Sequence, residues 1–221
     1  KIFVGAYDGR LIALDAATGE EVWVINTVSE NDRKWPYTIT GAPRVFKGKV
    51  VIGNGGAELG VRGFVSAFDA DTGELAWRWY TVPGNPADGF ENDAMEQAAD
   101  TWNGQWWVLG GGGTVWDSII YEPALNLVYI GVGNGSPWNA EFRSPGGGDN
   151  LFLSSIVALD ADTGELAWHY QHISNDQLDH DWAFERQIMN LRIDGVMRKA
   201  VITGGKLAIF EALDAATGEY L

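Results

Sequence analysis

Cysteine is absent from the 221 residues, so neither a disulfide nor a thiolate takes part in the chemistry of this stretch. The redox compartment leaves no trace in it for the same reason. Basic residues are scarce, with 15 Lys and Arg against 30 Asp and Glu and a formal net charge of −15. Such a balance excludes a nucleic-acid partner, because phosphate binding needs a basic face. It suits a soluble protein or one that meets a basic partner. No apolar run reaches the ~18 residues that a membrane-spanning helix needs. An initiator Met and a signal peptide are also missing. The chain opens at Lys1-Ile2-Phe3-Val4-Gly5, which reads as the middle of a strand. It closes inside a repeat, so the expectation is a partial domain, residues 1–221 of a longer protein, truncated at both ends.

Hydrophobic residues make up 46% of the chain and charged ones 20%, enough for a packed core. There are 11 Trp and 29 Gly, a pairing that suits short strands joined by tight turns. One tag recurs. Ala13 to Trp23 reads ALDAATGEEVW, Ala67 to Trp77 AFDADTGELAW, Ala158 to Trp168 ALDADTGELAW, and Ala212 to Leu221 ALDAATGEYL. Asp15, Asp69, Asp160 and Asp214 are therefore equivalent. In each copy an alternating strand leads into Asp-x-x-Thr-Gly. There Asp and Thr bond backbone groups, and Gly takes the positive-φ position. A second strand follows and carries Trp23, Trp77 or Trp168. Hairpins of this kind are marginal alone and bury one another when repeated around a ring. The fold predicted is all-β, a β-propeller with tryptophan-docking repeats.

Further hairpins are predicted from Gly41–Phe46 with Lys49–Gly53, and from Thr114–Tyr121 with Leu127–Gly131. Residues 25–37 read as a polar loop and residues 91–100 as one short helix. Residues 78–113, 133–149 and 171–190 are long, glycine-rich or irregular connections. Long loops in a compact domain usually carry function. Strands at 196–202 and 207–213 close the stretch, and four tagged hairpins give about four blades.

Four segments carry a more specific message: Gly55-Gly56-Ala57-Glu58-Leu59-Gly60-Val61-Arg62-Gly63, Gly111-Gly112-Gly113-Thr114-Val115-Trp116-Asp117, Gly131-Val132-Gly133-Asn134-Gly135-Ser136-Pro137-Trp138-Asn139, and Gly147-Gly148-Asp149-Asn150-Leu151. In this order they resemble the PQQ-dependent alcohol dehydrogenases, the methanol and ethanol quinoproteins, over essentially the whole chain. The resemblance implies an eight-bladed propeller, about half of it present here, with a quinone cofactor and a metal ion on its axis. It implies oxidation of a primary alcohol to an aldehyde in the periplasm, with electrons passing to a cytochrome c.

Read alone, Glu58 is a carboxylate in a glycine loop, equally at home in solvent, and Asn134 an ordinary turn residue. The resemblance makes both ligands of the metal, calcium or a lanthanide. Trp116 reads either as a core tryptophan or as a flat floor for a planar ring, and the resemblance selects the floor. It lines the cofactor pocket with Thr40, Gly56, Ala57 and Thr114. It also turns Lys206, otherwise a surface lysine, towards the quinone oxygens. The segment Asp176-Gln177-Leu178-Asp179-His180-Asp181-Trp182 is similar to the family's Asp-x-Trp-Asp, with Leu178 in place of Trp. The catalytic base and a metal ligand then fall on Asp179. The residues that follow are more numerous than in methanol dehydrogenases, so counting from the far side selects Asp181 as base. Asp179-x-Asp181 also has the spacing of lanthanide-dependent members, where the second Asp is an extra ligand. An extended segment would turn both side chains the same way. Two other readings share parts of this pattern. One is a non-catalytic propeller that binds proteins, which needs the tagged hairpins and none of the loop residues. The other is a quinoprotein sugar dehydrogenase.

Overall fold

The computed structural model describes residues 1–30 and 35–221. Residues 31–34, inside the predicted polar loop, lie outside the described residues. The first sheet holds β1 (Ile2–Gly5), β2 (Arg10–Leu14) and β3 (Glu21–Asn26). The second holds β4 (Arg44–Phe46), β5 (Lys49–Gly53), β6 (Phe64–Asp69) and β7 (Leu75–Tyr80). A long connection then carries α1 (Asp93–Ala99) and the short β8 (Gly111–Gly112). The third sheet starts with β9 (Ile119–Glu122) and β10 (Leu127–Gly131). The chain detours through β11 (Gly135–Ser136), which pairs with β8, and α2 (Ala140–Arg143). It returns to complete the sheet with β12 (Ser155–Asp160) and β13 (Leu166–Gln171). The fourth sheet is β14 (Arg186–Ile193), β15 (Val196–Gly204) and β16 (Phe210–Asp214).

Strands in these four sheets pair antiparallel in the order of the sequence, the pattern of propeller blades. The four blades predicted from the tags are the four sheets. Several strand starts move, β4 and β16 each beginning three residues later than expected, at Arg44 and Phe210. Residues 114–118 are not strand, because they are drawn off to line the cavity described below, and β9 begins only at Ile119. β14 begins at Arg186, inside the stretch read as connection. Its alternation is hidden because Arg186 is its one fully buried side chain and polar residues fill much of the rest. The short helix is seen as α1, capped by the Asn92 side chain, which accepts from the Met95 amide at 3.0 Å.

The tag explains both the turn and the joint between blades. In the third blade the Asp160 carboxylate accepts from the amides of Asp162 and Thr163 at 2.8 and 3.0 Å. The Thr163 hydroxyl accepts from the Glu165 amide at 3.2 Å. Asp15, Asp69 and Asp214 repeat this arrangement. The tagged Trp then reaches the next blade. Trp23 Nε1 donates to Ala70 O at 3.4 Å, Trp77 Nε1 to Ala161 O at 3.3 Å, and Trp168 Nε1 to Ala215 O at 3.2 Å. Each indole lies on the turn glycine of that blade. A Cβ on Gly73, Gly164 or Gly218 would come within 3.1, 2.7 or 2.6 Å of the docked ring. Glycine is thus required twice, for its φ of +75 to +78° and for the space above it. Between blades two and three the main apolar core forms around Val51, Val65, Trp77, Trp79, Val128 and Val157.

Two stability experiments on the full-length protein follow. Gly48 in the β4–β5 turn has φ +71° and open space around it, whereas Gly164 has φ +76° and Trp77 above it. Both Ala variants bear the left-handed backbone cost of ~1 kcal/mol. Gly164→Ala is expected to lower the melting temperature clearly further, because it also displaces the indole. Equal losses would show that the docking contributes nothing. The pH experiment concerns Asp160. Burial raises its carboxyl, but the Thr163 and Asp162 amides outweigh that and hold it below the usual value. A lowered carboxylate contributes stability above its unfolded pKa and loses it as pH falls through the folded one. Asp160→Asn is therefore expected to cost stability at pH 7 and much less at pH 2.5, read as urea midpoints.

Candidate functional site

Antiparallel alternation sends successive connections to opposite ends of a blade. The Asp-x-x-Thr-Gly turns lie at one end. The connections from the last strand of one blade to the first of the next, and the connection within each blade that leads into the strand before the tag, lie at the other. Connections of these two kinds converge on one cavity of about 450 Å³. Loops within blades supply Tyr7, then Gly55, Gly56, Glu58 and Leu59, then Asn134, then Lys206. Loops between blades supply Thr38 and Thr40, then Thr114 and Trp116, then Asp179 and Asp181.

The glycine run makes this convergence possible. Gly110 to Gly113 all have positive φ, from +69 to +78°. The run threads between two neighbouring loops: Gly63 N donates to Gly112 O at 2.8 Å, and Gly113 N to Asn134 O at 2.8 Å. The Thr81 hydroxyl closes on Gly113 O at 2.6 Å. A side chain on Gly112 would strike the backbone of residues 134–136 at 2.7 to 3.0 Å. Thr114 and Trp116 are carried in this way beside Asn134. The Trp116 ring stands edge-on to Phe184, at 5.6 Å and 87°. The Thr40 hydroxyl bonds Trp116 O at 3.4 Å. Gly55 and Thr38 exchange backbone hydrogen bonds of 2.7 and 3.3 Å, fixing the opposite wall.

The charged groups form a compact set. Lys206 Nζ lies 3.0 Å from Asp179 Oδ2 and 3.0 Å from Asp181 Oδ2, and it donates to Asp179 O at 2.6 Å. Asp181 Oδ1 accepts from the Asn134 amide at 2.7 Å. Both oxygens of Asp181 are therefore engaged within the chain, and the residue is 4% exposed. Burial pushes the Asp181 carboxyl above its ordinary value, with Lys206 and the Asn134 amide holding it back. Burial pulls the Lys206 ammonium down, and its hydrogen bonds with Asp179 and Asp181 more than restore it, leaving it raised. The segment is not extended as the sequence spacing suggested. Asp179 and Asp181 sit at φ +55° and +57°, and they meet at Lys206 through a turn.

Of the residues singled out in the sequence, Thr40, Gly56, Glu58, Thr114, Trp116, Asn134, Asp179, Asp181 and Lys206 line the cavity. Ala57 does not. It opens the 3-10 turn of residues 57–59, which buries Ala57 and leaves Glu58 exposed. Tyr7, Thr38, Gly55 and Leu59 line the cavity without having been singled out. Tyr7 was legible in principle, since it occupies the same connection in the first blade as Glu58, Asn134 and Lys206 do in theirs.

The donors suit both groups that the sequence implies. Glu58, Asn134, Asp179 and Asp181 offer oxygen alone, the choice of hard cations. The Asn134 side-chain nitrogen donates to Gly135 O at 3.1 Å, which leaves its amide oxygen uncommitted among the described residues. No three His, Cys, Asp or Glu side chains of the described residues converge as a metal cluster, so a cation here would need Asn134 beside the carboxylates. A flat indole, three threonines and two glycines without side chains leave room for a planar, oxygen-rich molecule. A second, largely apolar cavity of about 540 Å³ adjoins, lined by Trp35, Leu109, Pro137 and Trp138, and shares Glu58 and Leu59 with the first.

Comparison with known proteins agrees along the whole chain. Residues 1–221 match the family model described as PQQ: glucose/ethanol/alcohol dehydrogenase, beta-propeller domain. The chain is 58% identical over 222 aligned residues to quinohemoprotein alcohol dehydrogenase ADH IIB of Pseudomonas putida, covering 100% of this chain and 32% of that protein. The crystal structure of quinohemoprotein alcohol dehydrogenase from Comamonas testosteroni is similar with a TM-score of 0.95 at 53% identity, over 99% of this chain and 33% of that one. A europium-containing methanol dehydrogenase is similar with a TM-score of 0.86 at 35% identity, over 99% of this chain and 38% of that one. The chain thus spans about a third of the length of the curated relatives it matches.

The ion pairs are testable in the full-length protein. Lys206→Met leaves the buried Asp181 carboxylate with the Asn134 amide alone and, because Lys206 is itself partly solvated, is expected to cost about 2 kcal/mol at pH 7. Because the Asp181 carboxyl is raised, its native state takes up a proton as pH falls, and part of the loss returns by pH 5. Lys206→Arg keeps the charge and is expected to cost far less. Urea midpoints at the two pH values decide, and a Lys206→Met loss unaffected by pH would show that Asp181 does not feel Lys206.

Proposed function

The chain belongs to the family of PQQ glucose/ethanol/alcohol dehydrogenase β-propeller domains, and from that premise we propose that it is the quinone- and metal-binding part of an enzyme that oxidises a primary alcohol to an aldehyde. The observation that carries the reading is the gathering of nine predicted residues, from six separate loops, in one cavity. The complete protein on this reading is an eight-bladed ring.

Trp116 is the floor under a bound PQQ, held edge-on by Phe184. Thr40 and Thr114 offer hydroxyls to its carboxylates, and Gly56 gives it room. Glu58, Asn134 and Asp179 would hold the metal ion, calcium or a lanthanide. When bound, PQQ supplies the hydride acceptor and the metal a Lewis acid. Asp179 accepts the alcohol's hydroxyl proton on its carboxylate as general base. Its ion pair with Lys206 holds it at the cavity wall for that role. Lys206 also presents positive charge at the wall where negative charge develops. Asp181 is the group that would distinguish a trivalent ion from calcium. Its two oxygens are engaged here by Lys206 and the Asn134 amide, and it would be the residue to help hold such an ion. The adjoining apolar cavity suits the hydrocarbon tail of the alcohol. The electron acceptor is a haem of the cytochrome c type in the periplasm. The haem named in the quinohemoprotein relatives supports this, as does an acidic surface suited to a basic partner.

The test is to purify the full-length protein and load it with PQQ plus calcium or lanthanum. Reduction of an artificial dye is then followed with a series of primary alcohols and with glucose. Alcohol-dependent reduction is expected, and Asp179→Asn is expected to lower it by about 10³-fold. Activity with glucose alone would move the protein to the sugar branch. An absence of bound quinone together with no reduction by any alcohol would leave a protein-binding propeller. An enzyme active with calcium that gains nothing from lanthanum or cerium would remove Asp181 from the ligand set.

A further inference from the structure

The segment holding Asp179 and Asp181 has an unfavourable backbone. Two non-glycine residues at left-handed φ flank His180, a conformation that persists only where the surroundings impose it. What imposes it is a third carboxylate, which is not among the residues lining the 450 Å³ cavity. Asp176 is 2% exposed. Its Oδ1 accepts from the Leu178 amide at 3.0 Å, and its Oδ2 from the amides of His180 and Asp181 at 2.9 and 3.2 Å. The Ser154 hydroxyl, at the start of the third blade's outer half, donates to the same Oδ2 at 2.9 Å. His180 Nδ1 lies 3.2 Å from Oδ1.

The other side of Asp176 is fastened as well. Arg143 at the end of α2 is wholly buried. Its Nη2 donates to Asp176 O and to Asn175 Oδ1, both at 3.0 Å. Its Nη1 donates to Pro137 O and Trp138 O at 2.7 and 2.9 Å, and its Nε to Asn150 Oδ1 at 3.1 Å. One guanidinium therefore ties the loop that carries Asn134 to the loop that carries Asp179.

We propose that Asp176 is the positioning residue of the catalytic segment: anchored by Ser154 and Arg143, its carboxylate winds residues 178–181 around itself and sets Asp179 and Asp181 against Lys206. The inference rests on the reading of Asp179 as the base. Asp176 touches neither substrate nor cofactor and acts through the backbone. A misplacement of about 1 Å in a reacting group costs on the order of 10²-fold in rate, so removal of Asp176 should appear in kcat and not in substrate affinity.

The test compares Asp176→Ala, Asp176→Asn and Ser154→Ala in the full-length holoenzyme, with kcat expressed per bound quinone. Asp176→Ala is expected to lower kcat about 100-fold with KM within about threefold. Asn can turn its oxygen to the three donors at Oδ2 and forgo Leu178, so it should rescue kcat to within about tenfold of wild type. Ser154→Ala, the mildest change, should fall between Asn and wild type. Hydrogen–deuterium exchange supplies a readout independent of activity. The peptide covering residues 177–182 should exchange faster in Asp176→Ala, while β12, β13 and β15 keep their protection. A kcat for Asp176→Ala within twofold of wild type overturns the proposal. So does faster exchange spread evenly over the third and fourth blades, and so does the absence of any rescue by Asn. Should Asp176→Ala not fold, the Asn and Ser154 variants decide by the same measures. Should the wild-type protein oxidise no alcohol, the exchange experiment still judges the role of Asp176, and the proposed reaction fails separately.

Discussion

Everything in this structure leans on an indole laid over a glycine. Trp23, Trp77 and Trp168 each leave the last strand of a blade and settle on the turn of the next, with the ring against Gly73, Gly164 or Gly218 and its N–H on a backbone carbonyl. The contact couples a local requirement to a long-range one. The turn needs glycine for its backbone angle, and the absent side chain makes the seat for the neighbour's ring. A single residue type thus fixes both the shape of a hairpin and the angle between blades. Because the joint is fixed, loops from separate blades can be brought within hydrogen-bond distance of one another.

The loops use that precision for charge. Lys206 comes from the fourth blade, and Asp179 and Asp181 from the segment leading into it. Asn134 comes from the third, and Glu58 from the second. A lone buried carboxylate such as Asp181 would be costly, and a cation and a backbone amide offset that cost. The glycine run at 110–113 is the other half of the arrangement. It admits a main chain between two loops where any side chain would collide.

The frame was largely legible in the sequence, because a tag repeated four times states both the strand boundary and the docking residue. Glu58, Trp116 and Asn134 were singled out only through their neighbours in glycine-rich segments, and Lys206 only through the family resemblance. A lone glutamate or lysine carries no such information by itself. Three features were hidden for physical reasons. The alternation of β14 is disguised by polar side chains on a strand with one buried position. Ala57 was grouped with its neighbours, although a 3-10 turn separates its direction from that of Glu58. The turn at Asp179–Asp181 could not be read from spacing, because its cause is a hydrogen-bonded carboxylate three residues upstream. Periodicity records which face a residue takes in a regular element. It is silent where side chains bend the backbone.

The two ends of each blade have different obligations. At one end Asp15, Asp69, Asp160 and Asp214 repeat the same bonds to two backbone amides. At the other end no two connections are alike in length or content. A blade is in this sense a cassette with one standardised socket and one free terminal. Copying it reproduces the mechanical coupling and leaves the reactive inventory open to rewriting. That is how a molecule assembled from near-identical parts comes to hold a site with no symmetry at all.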